Sequence, residues 1–200
     1  MNYKLILSSA SPRRRELIKY IGLPYECISV DADESVKCAT PSDTVMEISL
    51  RKARAALDVH KLEPDEVIIG ADTIVVIDDS ILGKPIDEAD GINMLQKLRG
   101  RAHKVYTGVT FIYMKKNTDN SSRLAEKTFY EATDVIVNNI SEEDIKKYIS
   151  TNEYADKAGS YAIQGEFSVH ISGINGDYNN VVGFPVSRIY RELQNINTCE

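Results

Sequence analysis

Three short stretches hold residue types whose spacing could do chemistry on a charged substrate. The first is Ser9-x-Ser11-Pro12-Arg13-Arg14-Arg15. Ser11 before Pro12 is an ordinary helix opening: a hydroxyl cap, then a residue whose missing N–H costs nothing there. Arginines in the turn that follows are misplaced, because the positive end of a helix dipole disfavours each by about 0.3–1 kcal/mol. A ligand can supply the missing negative charge. The hydroxyls of Ser9 and Ser11, the backbone N–H groups and two or three of the guanidinium groups, those of Arg13 and Arg14 with or without Arg15, would together cradle a polyphosphate. The competing reading turns the arginines away to pair with acids such as Glu16.

The second stretch is "GADTIVVIDDSILGKPID", residues 70–87. Asp72 emerges from the end of an apolar run, where a carboxylate can hold a divalent cation, deprotonate a water, or only cap a turn. Lys84, fixed by Pro85, can neutralise charge on a transferring phosphoryl group. The third is "DKAGSYAIQG", residues 156–165, in which Gly159 and Gly165 frame Gln164 in a flexible loop of close approach. An uncharged amide offers both a donor and an acceptor, which suits the edge of a nucleobase.

The elements that must position these residues alternate. Lys4–Ser8 reads as a buried strand, Pro12–Tyr20 as a helix stopped at Gly22, and Tyr25–Val30 as a second strand. A helix is expected from about Thr44 to His60, then a β-run from Glu66 to Asp79 interrupted at "GADT". A helix from Asp87 to about Leu98 precedes a long hairpin, His103–Met114 with Arg123–Val137, joined through "KKNTDNSS". Ser141 caps a helix with Glu142, Glu143 and Asp144 in its first turn, the charge placement that the first helix lacks. "FSVHISGI" reads as a strand, and a C-terminal helix starts near Pro185. The order argues for an α/β protein with a mixed sheet, residues 1–200 forming one domain with two lobes around a cleft and no separable linker.

Composition narrows the function classes. At 200 residues, 42% hydrophobic and 27% charged, the chain has the make-up of a soluble globular protein. A net charge of −6 argues against general nucleic-acid binding, so clustered arginines point to a local anion site. Three cysteines without a C-x-x-C pair fit a reducing cytoplasm better than a disulfide framework or a zinc site. The N-terminal apolar run has its charges on the wrong side for a signal peptide, and no segment approaches a membrane span. There is no Walker A sequence, G-x-G-x-x-G, H-E-x-x-H or G-x-S-x-G, and His60, His103 and His170 are scattered. Asp31-x-Asp33 after a strand has the look of an aspartyl nucleophile loop of haloacid-dehalogenase-like phosphatases, but the pattern after Ser35 departs from it.

Taken together, the blocks resemble the Maf family of nucleoside triphosphate pyrophosphatases: "SxSPRR.EL" at Ser9–Leu17, Glu34 with Lys52–Ala53, "GADT", "LGKP.D" at Leu82–Asp87, "ML..L.GR.H.V.TGV" at Met94–Val109, "DKAG.Y.IQG" and "VVG.P", in order from about Leu5 to Leu193. The resemblance implies an inosine-triphosphate-pyrophosphatase-like fold, often assembled as a homodimer. It also implies a magnesium- or manganese-dependent cleavage of a nucleoside triphosphate to the monophosphate and pyrophosphate. By motif, Asp72 matches the proton acceptor. Glu34, Lys52 and Lys84 match metal- and phosphate-handling positions, with Glu34 and Asp72 toward the metal. Arg13, Thr73 and Gln164 match positions tied to substrate choice. Thr73 with "IQG" resembles the branch acting on dTTP and UTP, including modified pyrimidines, rather than the 7-methyl-GTP branch. Family members have also been linked to arrest of septum formation, which leaves a binding-only regulator as the alternative class. Two departures stand out: Arg99 in place of the family's Ser, and Asn152-Glu153-Tyr154 in place of Gly-Glu-Pro before "DKAG".

Overall fold

Leu5, Ile6 and Leu7 are fully buried, and that requires a strand covered on both faces. In the computed structural model, which describes residues 2–36, 38–116 and 121–196, they form the centre of β1 (Lys4–Ser8). A short helix α1 (Pro12–Leu17), continued by a 3-10 turn over Ile18–Ile21, leads to β2 (Tyr25–Ile28). Helix α2 (Pro41–Val59) leads to β3 (Glu66–Ile77). Both strands run parallel to β1, as crossover helices demand. The chain continues through β4 (Ser80–Leu82), α3 (Glu88–Leu98), β5 (Ala102–Lys116), β6 (Ser122–Val137), α4 (Glu142–Ile149), β7 (Ile171–Asn175), α5 (Tyr178–Val182) and α6 (Val186–Asn195). The seven strands make a mixed sheet in the order β2-β1-β3-β5-β6-β7, with β4 paired to β3.

The chain packs as two compact units. The first takes residues 1–72, 107–131 and 183–200. Its core joins Ile6 of β1, Ile68 of β3 and Ile112 of β5 to Ala53 and Ala56 of α2. Two glycines let α2 sit against the strands. A Cβ at Gly70 would lie 2.7 Å from Ala53 N, and one at Gly108 would lie 2.8 Å from Met46 N. Both are well inside ordinary contact. The second unit takes residues 73–106 and 132–182. Leu95 and Leu98 of α3 and Ile145 and Ile149 of α4 are buried there, and the ring of Phe167 meets those of Tyr148, Tyr161 and His170 tilted or edge-on, with centroids 5.0–5.2 Å apart.

The local expectations hold at β1, at the Gly22 stop (φ 76°), at α3 capped by Asp87 and at α4. The Ser141–Asp144 pair closes a complete capping box there. Four differ. Helix α2 starts at Pro41 with Thr40 as its cap, three residues before Thr44. "GADT" does not interrupt β3, because Gly70 serves the approach of α2 instead of a break. Asp78 and Asp79, at φ 49° and 58°, turn the chain into β4, a hairpin that the short polar side chains of aspartate permit. Glu166–His170 is a 3-10 turn, and the strand begins only at Ile171. Half of the expected "KKNTDNSS" connection, residues 117–120, lies outside the described residues. No helix among the described residues is long and apolar enough to cross a membrane.

Candidate active site

In the first unit the site begins where β1 and β2 end, the place at which open α/β sheets hold ligands; Asp72 is not at a strand end, because β3 runs on through it to Ile77. Ser8 closes β1 opposite Gly70 of β3, so Ser9 and Ala71-Asp72 continue side by side. Ser9 is buried, its Oγ accepting from Ser11 N at 3.1 Å. Ser8 Oγ donates to the carbonyl of Lys52 at 2.9 Å, fixing α2 against the same strand end.

The ammonium of Lys52 lies 2.7 Å from Asp72 Oδ1 and 2.7 Å from Glu34 Oε1. The side chains of Lys52 and Asp72 are only 15% and 11% exposed, whereas Glu34 is 53% exposed. The polar loop and the helix are zipped together by adjacent pairs, since Arg51 Nη1 meets Asp33 Oδ2 at 2.7 Å beside the Lys52–Glu34 pair. Asp33 also accepts from the backbone and hydroxyl of Ser35, and these bonds, with Arg51, hold it below the usual carboxylate range. Asp72 Oδ2 has no hydrogen-bond partner among the described residues. One oxygen of the carboxylate is thus anchored and the other is available.

The three arginines separate by role. Arg14 turns into the unit, its Nε donating to Gly183 O at 2.8 Å and its Nη1 to Ala71 O at 2.9 Å. Burial pushes its pKa down, against the attraction of Asp72. Arg15 donates twice to Ser9 O at 3.3 Å. Glu16 pairs with Lys19, not with an arginine. Arg13 makes no hydrogen bond or ion pair among the described residues, so its charge is uncommitted.

Thr73, Lys84 and Gln164 belong to the second unit. Thr73 is half-buried, on β3 directly after Asp72. Lys84 is exposed and, like Arg13, without an ion pair among the described residues. Gln164 is exposed at the tip of a turn closed by Gly165 N donating to Ala162 O at 3.2 Å. The segment before it is packed, not flexible: Gly159 through Ile163 are all buried. The departure from Gly-Glu-Pro is absorbed locally. Asn152 takes φ 58°, which asparagine tolerates in place of glycine, and Tyr154 is buried.

No group of three or more His, Cys, Asp or Glu side chains suited to a metal occurs among the described residues. Asp72 and Glu34 nonetheless form a pair of hard oxygen donors facing one cation. A magnesium or manganese ion is commonly held by one or two carboxylates, with substrate phosphates and waters completing its shell. The residues present fit such an ion.

The family model for Maf-like protein matches residues 4–196. The chain belongs to the Maf-like family. Among its relatives, a protein of Agathobacter rectalis named dTTP/UTP pyrophosphatase is 45% identical over 203 residues, covering 96% of this Maf-like chain and 97% of the relative. One of the same name from Bacillus cereus is 45% identical over 195 residues, covering 97% and 96%. Two solved structures of Ham1 proteins are looser matches. That of Staphylococcus aureus has a TM-score of 0.40 at 16% identity, over 68% of this chain and 72% of the other. That of Coxiella burnetii has a TM-score of 0.47 at 12% identity, over 96% and 99%. Likeness at that level carries no argument about the site.

The motif blocks paired Glu34 with Lys52, as their 2.7 Å contact has it, and named Asp72 apart from them. Glu153 was missed, although it lies under the Gln164 turn and stood inside a motif noted only for its departures.

Proposed function

We propose that this protein is a nucleoside triphosphate pyrophosphatase acting on dTTP and UTP, releasing the nucleoside monophosphate and pyrophosphate. The observation that carries the reading is the Lys52 ammonium, 2.7 Å from both Asp72 and Glu34, in a chain 45% identical to relatives of that name.

The step is in-line attack by water on the α-phosphorus: a P–O bond forms to the water oxygen, and the bond to the departing pyrophosphate breaks. Asp72 takes the water's proton through the free Oδ2, while Lys52 holds the carboxylate by Oδ1. Arg13 and Lys84, which have no ion pair among the described residues, take charge on the triphosphate. Ser9 and Ser11 are assigned to the phosphate side, and Arg14, bonded to the carbonyls of Ala71 and Gly183, is assigned to holding that side in shape. A magnesium or manganese ion held by Asp72 and Glu34 would supply neutralisation of phosphate charge. Gln164 and Thr73 are assigned to the base, since neutral groups that donate and accept complement the acceptor–donor–acceptor edge of uracil or thymine. Cys27 and Cys38 are free thiols, in keeping with the proposed cytoplasmic setting.

The test is pyrophosphate release across a panel of triphosphates with magnesium or manganese. Preferential turnover of dTTP and UTP is expected. Orthophosphate as the product, with Asp31 essential, would replace this reading by aspartyl-phosphate chemistry, and nucleotide binding without turnover would replace it by a regulator.

A further inference from the structure

We propose that Glu153 is a positioning residue for base selection, acting with Tyr148 to hold the turn that presents Gln164. The inference rests on the reading of Gln164 as the base-contacting side chain.

The turn is Ala162-Ile163-Gln164-Gly165-Glu166, and the backbone N–H groups at its two ends go to two side chains, Tyr148 and Glu153. Glu166 N donates to Glu153 Oε2 at 3.0 Å. Ala162 N donates to the Tyr148 hydroxyl at 3.3 Å, and the Glu153 carboxylate acts electrostatically on that tyrosine. Burial first, then the carboxylate of Glu153, push the tyrosine pKa up, so the hydroxyl keeps its proton and can donate.

Glu153 also explains the glycine next to Gln164. Its carboxylate occupies the space into which a Cβ at residue 165 would project. Only glycine lets the carboxylate come up under the turn. Glu153 is itself set by its neighbours: its N–H donates to Thr151 Oγ1 at 3.2 Å, and Asn152 makes the left-handed step before it. Tyr148 is buried against Phe167, with ring centroids 5.0 Å apart. The exposed side chain of Gln164, without a hydrogen-bond partner among the described residues, therefore stands on a turn whose backbone is pinned at both ends.

The experiment measures pyrophosphate release from dTTP, UTP and CTP by the full-length wild type, E153A, E153Q, Y148F, Q164A and the E153A/Q164A double variant. E153A should raise KM for dTTP and UTP about 10-fold with kcat within about twofold, and should cut the dTTP-over-CTP preference by about the same factor. E153Q, whose amide oxygen still accepts from Glu166 N, should recover part of the loss. Y148F should shift the ratio in the same direction by less. E153A should add nothing to Q164A, the signature of one pathway. The inference is overturned if an active wild type and its variants share one dTTP/CTP ratio. It is also overturned if E153A lowers kcat alike for every nucleotide, or if the two single effects multiply. Should E153A fail to fold, E153Q and Y148F decide by the same ratio. A wild type that releases pyrophosphate from no pyrimidine triphosphate overturns the parent reading, and this inference with it.

Discussion

Replacing Gly70 by alanine tests how closely fold and site are joined. The new methyl would stand 2.7 Å from Ala53 N and 2.9 Å from Ala53 Cβ, and nearer still to the Ser49 carbonyl oxygen. Carbon contacts settle at about 3.5–4.0 Å, so α2 must withdraw by roughly 1 Å. Two of those neighbours are backbone, and no side-chain rotation relieves them. Lys52 precedes Ala53 on that helix, and its ammonium reaches Asp72 across 2.7 Å. A withdrawal of that size carries the pair past good hydrogen-bond distance. Overpacking costs about 1–3 kcal/mol, and a misplacement of about 1 Å at a reacting group can cost 100-fold in rate. The expected result for G70A is a lowered unfolding midpoint in urea together with pyrophosphate release reduced by about 10- to 100-fold. A53G should not rescue it, because the backbone contacts remain. A G70A protein with wild-type stability and turnover would refute the reasoning, and full rescue by A53G would show that the obstacle is one methyl and not the helix backbone.

Asp72→Asn should abolish turnover while nucleotide binding, followed by calorimetry, persists; full activity in D72N would remove Asp72 as the base. The arginine triplet should divide under alanine substitution. R13A should raise KM for the triphosphate at least 10-fold with an unchanged unfolding midpoint. R14A should lose about 1.5–3 kcal/mol of stability for each of its two carbonyl bonds. R15A should change either readout little; a deep activity loss in R15A with an unchanged R13A would reverse the assignment. Burial depresses the His103 pKa from 6.5 to about 4, against the opposing charge of Asp134. Above pH 6.5 the ring is neutral in both states and its contribution is complete. Between 6.5 and 4 the unfolded chain takes up the proton and the folded one does not, so about 3 kcal/mol is lost as pH falls. Urea midpoints of wild type and H103Q should converge toward pH 4, and parallel curves would count against a buried neutral ring.

What the sequence by itself determined were features whose causes lie within one turn or one strand. The apolar run of β1, the hydroxyl and carboxylate caps of α3 and α4, and the Gly22 stop each act through neighbours a few residues away, and all appear where expected. The motif blocks likewise marked Glu34, Lys52 and Asp72 as chemically loaded residues. Tertiary structure alone decided what those residues do to one another. Lys52 meets carboxylates 18 and 20 positions away, and Arg14 reaches carbonyls 57 and 169 positions away. No local preference encodes such distances, which follow from how closely α2 and the strand ends pack. The same holds for "SPRRR": its charges are alike along the chain, yet Ala71 and Gly183 take one arginine, Ser9 takes another, and Arg13 has no hydrogen bond or ion pair among the described residues. Gly70 and Gly165 read in sequence as points of close backbone approach, with a strand break at the first and a flexible loop at the second, but the sequence does not say what approaches. In the folded chain each is the gap into which a helix or a carboxylate fits, because a missing side chain has meaning only once its neighbour arrives.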